Sequence, residues 1–253
     1  MVHDHEKILD YWNREDVESM YDKYLLELET ALIGGRIRAN SKILDAGCGE
    51  AEGTAVYARI PGTVVHAVDF SDTRLKKAAQ RLNGFKNVLL RKIDLLGTYS
   101  LDSDYDFVVS QRFLINLMQW NLQTKVLSDF RRMLRPGGKL LMLEGNQDGV
   151  ESLNRLRAAL GLDPIPVKWH NLFFHDASLK DYMASVGFRL LEEDGLGEYF
   201  LLSRGIRPYF ESVLNWDSEF NKVSSGETIR SLLGLKQKFS RLKLWVFERP
   251  VDT

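Results

Sequence analysis

Asp45, Gly47, Cys48, Gly49 and Gly53 stand close enough in the chain to build one ligand-binding turn. Residues 42–46 read as a short buried strand, and the glycines turn it abruptly into an alanine-rich helix. Glycine has no Cβ and tolerates positive φ, so a ligand can approach the backbone N–H groups beneath such a turn. Asp45 falls at the carboxyl end of the strand, where open α/β sheets bind ligands, and its carboxylate suits a cationic group. The spacing G-x-G-x-x-x-G is one residue longer than the fingerprint that seats a pyrophosphate, and an acid before the first glycine repels phosphate. A second acid, Asp69, closes the next apolar run, 63–68. In a βαβ unit an acidic residue about twenty positions beyond the glycine turn can accept both ribose hydroxyls of an adenosine. These residues suggest a cationic adenosine ligand; a tight turn with no ligand and a polar strand end are the plainer alternatives. Cys48, the single cysteine, reads as a small residue filling the turn rather than a reactive thiol.

Together, Asp45-Ala46-Gly47-Cys48-Gly49 resembles the cofactor motif of class I S-adenosylmethionine-dependent methyltransferases, whose ligand sets a sulfonium and an ammonium against one carboxylate. The resemblance implies S-adenosylmethionine as cofactor and S-adenosylhomocysteine as product, bound by Asp45, Gly47, Cys48, Gly49, Asp69 and Phe70. It further implies that Asp94 accepts the adenine amine and Leu95 gives a backbone contact, with Ser110 and Gln111 beside the methionine moiety. Arg112, next in line, is a candidate for the acceptor. Arg135-Pro136-Gly137-Gly138 before an apolar strand is another family hallmark: proline stops the helix and glycine reverses the chain. The resemblance covers residues 40–145.

Methyl transfer from a sulfonium is an in-line displacement, so positioning dominates and a base is needed only where the acceptor must lose a proton. His170 and His175 are the candidate bases, because the segment after the fifth strand and its helix overhangs the methyl group in this architecture. The plainer reading makes one a loop residue bonded to backbone and the other a polar residue ahead of a helix. Trp169, Phe173 and Phe174 either wall an acceptor pocket or pack in the core. Tyr11, Trp12 and Tyr21, ahead of the sheet, either touch the amino-acid end of the cofactor or simply pack.

Some acceptors fit poorly. Amino-methyltransferases of DNA carry an Asp/Asn-Pro-Pro-aromatic tetrapeptide where this chain has Ser110-Gln111-Arg112-Phe113. Metal-assisted catechol enzymes use an Asp-Asn pair that Glu144-Gly145-Asn146 only approaches, and no Cys/His cluster has zinc-ligand spacing, so no metal is expected. A natural-product scaffold, a sugar or an amine, methylated on oxygen or nitrogen, is the expected acceptor. A cofactor-binding partner without turnover is the alternative. Aminopropyl transfer fits less well, since Ser110-Gln111 lacks the acid that deprotonates the amine.

The elements that must position these groups alternate. Two amphipathic helices fill 4–33 with a break near 13–16. Strands at 42–46, 63–68, 87–93, 105–109 and 140–144 interleave with helices, among them 73–82, capped by Asp72, and 121–134. Beyond them lie helices at 150–160 and at 176–186, the latter capped by Asp176, and a sixth strand, 188–193. The last strand is expected at 243–248 rather than 199–203, which leaves 204–240 as an insertion acting as a lid or an interface, the latter admitting a homodimer. Its Arg204, Arg207, Arg230 and Arg241, with Tyr209 and Trp216, read as scattered surface charge before phosphate or carboxylate binding. The expected fold is therefore α/β: one doubly wound, mostly parallel seven-stranded sheet with an antiparallel last strand, in a single domain over 1–253. That domain divides into N-terminal helices (1–39), a cofactor-binding core (40–145) and acceptor-side elements (146–253).

At 253 residues the chain buries a large core without disulfides, and a formal charge of −1 gives no global attraction to nucleic acid or anionic membrane. No run approaches about eighteen apolar residues and no signal-like segment opens the chain, so a cytoplasmic protein is expected.

Overall fold

The computed structural model describes residues 2–211 and 213–251. Helices α1 (Val2–Asn13) and α2 (Lys23–Gly34) precede the sheet. An alternating run follows: β1 (Lys42–Ala46), α3 (Glu52–Tyr57), β2 (Val64–Asp69), α4 (Asp72–Arg81), β3 (Val88–Lys92), β4 (Tyr105–Gln111), α5 (Trp120–Met133) and β5 (Leu134–Gly145). Then come α6 (Gln147–Ala159), α7 (Asp176–Ser185), β6 (Arg189–Gly195), α8 (Gly197–Phe200), α9 (Glu219–Ser224), α10 (Glu227–Leu233) and β7 (Leu242–Glu248).

The seven strands form one sheet in the order β3-β2-β1-β4-β5-β7-β6. Neighbours from β3 to β5 are parallel, and β7 runs antiparallel between β5 and β6. Both faces are covered, which is why the central strands read as nearly continuous apolar runs. Leu44, Val108, Leu140 and Met142 pack on one face against Phe130 of α5 and Met183 of α7. Ile43, Val65, Phe107 and Leu141 face the other way, onto Leu28 and Leu32 of α2 and Leu153 of α6. The order of strands reverses between β1 and β4, so a crevice opens at their carboxyl ends, and the glycine turn sits there. Among the described residues, no helix is long and apolar enough to cross a membrane.

Several local expectations are corrected. The second helix starts at Lys23, so Val17, Met20 and Tyr21 belong to the preceding loop; Asp22 ends that loop by accepting the Leu25 N–H at 3.1 Å. Ser71, not Asp72, caps α4, because its Oγ accepts the Arg74 N–H at 3.2 Å while Asp72 turns to Lys92. Asp176 does not cap α7 either: its carboxylate receives Lys243 Nζ at 2.6 Å and Trp245 Nε1 at 3.1 Å. Residues 199–203 are helical, and β7 is the last strand, as its apolar pattern predicts. α8 continues into a π-helical stretch, Leu201–Ile206, and the rest of the insertion folds as short helices rather than a hairpin.

Candidate active site

The turn after β1 is pinned to β2 by the Gly47 and Cys48 N–H groups, which both donate to Val68 O at 2.9 Å. Gly47 has φ +71°, and a Cβ there would meet the Phe113 ring at 2.5 Å. Gly49 has φ +54°, but a Cβ there would meet nothing within 4 Å, so this glycine leaves open space beside the chain. Its N–H donates to Asp69 Oδ2 at 2.9 Å, and the Ser71 N–H donates to Asp69 Oδ1 at 2.9 Å. The acid at the tip of β2 thus orders the turn at the tip of β1. Asp94, beyond β3, accepts the Leu96 N–H at 2.9 Å.

Asp45, Asp69 and Asp94 line one cavity of about 130 Å³ together with Gly47, Cys48, Gly49, Phe70, Leu95 and Gln111. Asp45 is buried and accepts the Thr54 hydroxyl at 2.5 Å. Burial pushes its carboxyl up to about 7; the Thr54 bond works against this, and the charges of Asp69 and Glu52 add to it. Burial also raises Asp69, against the N–H groups that hold its charged form. Burial and the neighbouring Asp45 push the Cys48 thiol up, so it carries no thiolate reactivity.

A second cavity of about 570 Å³ adjoins the first: Trp12, Ser19, Arg112 and Asn116 line both. Arg112 holds a left-handed backbone, φ +52°, uncommon for a residue with a side chain. Its Nε donates to Glu29 Oε2 at 2.9 Å, and Gln111 Nε2 reaches the same oxygen at 2.7 Å. Gln111 Oε1 accepts the Tyr57 hydroxyl at 3.1 Å. Glu29 is buried inside α2, and desolvation raises its pKa against the pull of Arg112. Trp12 Nε1 donates to Asn116 Oδ1 at 3.3 Å, while Trp12 O accepts Ser71 Oγ at 3.0 Å and Arg74 Nε at 3.2 Å. These bonds fasten α1 over the mouth of the crevice.

His170 lines the second cavity at 3% exposure, its ring centroid 4.5 Å from that of Tyr11 at a tilt of 32° and edge-on to Trp12 and Trp169. Its Nδ1 is buried without a hydrogen-bond partner. Burial, helped by Lys168, lowers its pKa to about 4, so the ring is neutral near pH 7. Phe173 lines the same cavity. Other expected residues are not brought there. His175 is 56% exposed and sits 3.3 Å from Asp148, lining neither cavity. Phe174 is core, packed against Trp120 and Trp245, and Trp169 is 55% exposed. Ser110 is fully buried and gives its hydroxyl to Glu144 at 2.6 Å.

Sequence reasoning missed Thr54, Glu29 and Glu144. Glu144, at the end of β5, also accepts the N–H groups of Phe113, Leu114 and Ile115 at 3.0, 2.9 and 3.2 Å, which fixes the loop after β4. A charge inside the apolar stripe of α2 is a visible signal for Glu29. Thr54 has none.

A carboxylate-ringed crevice at the switch point of a sheet with one antiparallel strand defines a Rossmann-like α/β fold with a candidate ligand site at its strand tips. Residues 43–138 match the model of the methyltransferase-domain family. Demethylmenaquinone methyltransferase of Anoxybacillus flavithermus is 27% identical over 146 residues, and the match spans 56% of this chain and 60% of that enzyme's length. The [4+2]-cyclase SpnF superposes with a TM-score of 0.59 at 15% identity, over 96% of this chain and 86% of that one. A TehB-like methyltransferase from Corynebacterium glutamicum gives a TM-score of 0.54 at 16% identity over 98% of each. At these identities the superpositions speak to the fold. Across residues 43–138 the chain is similar to the methyltransferase-domain family, and its fold is that of class I S-adenosylmethionine-dependent methyltransferases.

Proposed function

We propose that this protein transfers a methyl group from S-adenosylmethionine to oxygen or nitrogen of a small-molecule acceptor held in the larger cavity. The observation that carries this reading is the junction of the two cavities at Trp12, Ser19, Arg112 and Asn116, which sets an acceptor space against the carboxylate-lined crevice. The residues fit the cofactor: Gly49 leaves room beside the turn, and Asp45 is a buried carboxylate facing a cavity with a hydroxyl as neighbour.

When bound, the cofactor supplies an electrophilic methyl carbon on a sulfonium. Asp45 faces its cationic amino-acid end. Asp69 accepts the ribose hydroxyls through lone pairs its N–H partners leave open, and Asp94, Leu95 and Phe70 border the adenine. Gly47 and Cys48 allow close approach, and Gln111 is oriented toward the methionine end by Glu29 and Tyr57. Trp12 and Arg112 exclude water where the cavities meet. His170, neutral and with a free ring nitrogen, takes the acceptor's proton or aligns it. His175, Ser110, Phe174 and Trp169 have no place in this site.

Carbon is the second acceptor reading, supported by the name of another relative, the ubiquinone/menaquinone biosynthesis C-methyltransferase of Psychromonas ingrahamii, 28% identical over 195 residues, and by the apolar wall of Leu25, Ile115, Phe173 and Trp216. The test is calorimetric titration with S-adenosylmethionine, then incubation of metabolite extracts with methyl-labelled cofactor and NMR location of the label. Labelled small molecules support the reading. Wild-type protein that fails to bind the cofactor overturns it, and binding without turnover of any extract leaves a cofactor-binding partner protein instead.

A further inference from the structure

Six cationic side chains line the larger cavity: Arg112, Arg157, Lys168, Arg204, Arg207 and Arg241. Only two acids, Glu18 and Asp22, line it with them. Arg112 is paired with Glu29, Arg204 with Asp22 at 2.6 Å and Arg207 with Glu211 at 3.8 Å. Arg157, Lys168 and Arg241 have no carboxylate partner among the described residues. Arg157 Nε donates to Asp163 O at 2.7 Å, and Arg241 Nη2 to Pro166 O at 3.2 Å. Asn154 holds the same segment through both the N–H and the carbonyl of Ile165, at 2.9 and 3.1 Å. These bonds orient the two guanidinium groups through carbonyl oxygens rather than carboxylates, and the Asp163 charge reaches Arg157 without forming an ion pair with it.

The cost of this arrangement is visible in the groups themselves. Burial, then the charges of Arg204 and Arg157, lower Arg241 to about 10; Lys168 is lowered by burial and by Arg112 and Arg241. Arg204 Nη1 is buried with no hydrogen-bond partner. Like charges gathered in a partly desolvated space repel one another unless an anion joins them. Scattered surface charge does not describe Arg204, Arg207 and Arg241, which four separate chain segments bring together with Arg157 and Lys168.

We infer that the acceptor is an amphipathic anion: a phosphate or carboxylate group on it is held by Arg157, Lys168 and Arg241, and its apolar body lies against Leu25, Ile115, Phe173 and Trp216. This rests on the reading that the larger cavity is the acceptor site. Arginine forks match both oxyanions in a bidentate manner, and a cation-rich cavity gives an uncharged acceptor no return for the repulsion it contains.

The test uses three matched probes, 1-naphthol, 1-naphthyl phosphate and 1-naphthoate, titrated calorimetrically into protein already saturated with S-adenosylhomocysteine. At least one anion should bind about tenfold or more tightly than naphthol. The more favoured of the two identifies which oxyanion the site takes. In Lys168→Met/Arg241→Met the gap should close to about threefold or less, with affinity for S-adenosylhomocysteine unchanged because neither residue lines the smaller cavity. Should the double variant not fold, Lys168→Gln, an exposed rim position, is expected to narrow the gap in the same direction. Equal affinity for all three probes, no binding of any, or a gap that survives in the folded variants overturns the inference. Failure of wild-type protein to bind S-adenosylhomocysteine would remove the underlying functional reading instead.

Discussion

Lowering the pH from about 8 to about 5 should weaken S-adenosylmethionine binding roughly a hundredfold, with Asp45 as the cause. In the free protein, burial holds the Asp45 carboxyl up at about 7, so below that pH it is protonated and neutral. A cationic ligand needs the carboxylate, and binding must then expel a proton. Each pH unit below 7 costs about 1.4 kcal/mol, so two units give about 2.7 kcal/mol, a factor of about 100. Above 7 the affinity should level off. The free fold shows the opposite slope: with the folded value above the ordinary one, the stability contributed by neutral Asp45 is present at low pH and lost as pH rises through about 7. Calorimetry in two buffers of different ionisation heat measures both affinity and protons released, near one per ligand at pH 5 and none at pH 8 by the same linkage. Thr54→Val removes the hydroxyl that favours the charged form and should move the midpoint upward. In Asp45→Asn the affinity should be weak and independent of pH. A flat affinity in wild type, or the same slope in Asp45→Asn, would refute the placement of a cation against this carboxylate.

The two glycines of the turn should behave differently. Gly47→Ala meets the Phe113 ring and a left-handed backbone at once, and should lower stability by about 2–4 kcal/mol in urea unfolding. Gly49→Ala should cost about 1 kcal/mol from its backbone alone, whereas Gly49→Val fills the open space and should abolish cofactor binding while the protein stays folded. Glu144→Ala leaves three loop N–H groups and the Ser110 hydroxyl without their acceptor; a loss of about 3–5 kcal/mol in chemical denaturation is expected. For His170, the wild-type methylation rate measured at saturating S-adenosylmethionine, where the Asp45 effect on affinity does not register, should fall only as pH drops toward about 4, and His170→Ala should lack that limb; a wild-type limb near pH 6–7 under saturation would contradict the burial of the ring.

The cofactor side was legible because its signals are local. A strand, a glycine turn and an acid at each strand tip lie within a few residues of one another, and strand-helix alternation fixes where the tips meet. Asp45, Asp69 and Asp94 accordingly fall in one cavity. Partners set by folding were not legible. Nothing near Thr54 announces that its hydroxyl points back at Asp45, and Glu144 sits in an apolar strand whose backbone partners lie some thirty residues away. His170 and His175 look alike in sequence, five residues apart, yet one closes into an aromatic cage and the other faces solvent beside Asp148. The cap of α4 slipped by one position because Ser71 and Asp72 are both good capping residues; Lys92, across from Asp72, draws the aspartate away.

The excursion between β6 and β7 leaves and re-enters through two adjacent, hydrogen-bonded strands at the sheet's far edge. It is fastened to the rest of the molecule at several points: Asp22 takes Arg204 and the Tyr199 hydroxyl, Lys23 pairs with Asp217 at 2.7 Å, Leu160 O accepts the Tyr209 hydroxyl, and Tyr199 and Phe200 pack into the core. Replacement of that excursion therefore leaves every strand pairing from β3 through β5 intact. The architecture separates a strand platform from a helical roof, and regrafting that roof to change acceptor preference must carry with it the Asp22–Lys23 corner and the end of α6 that hold it.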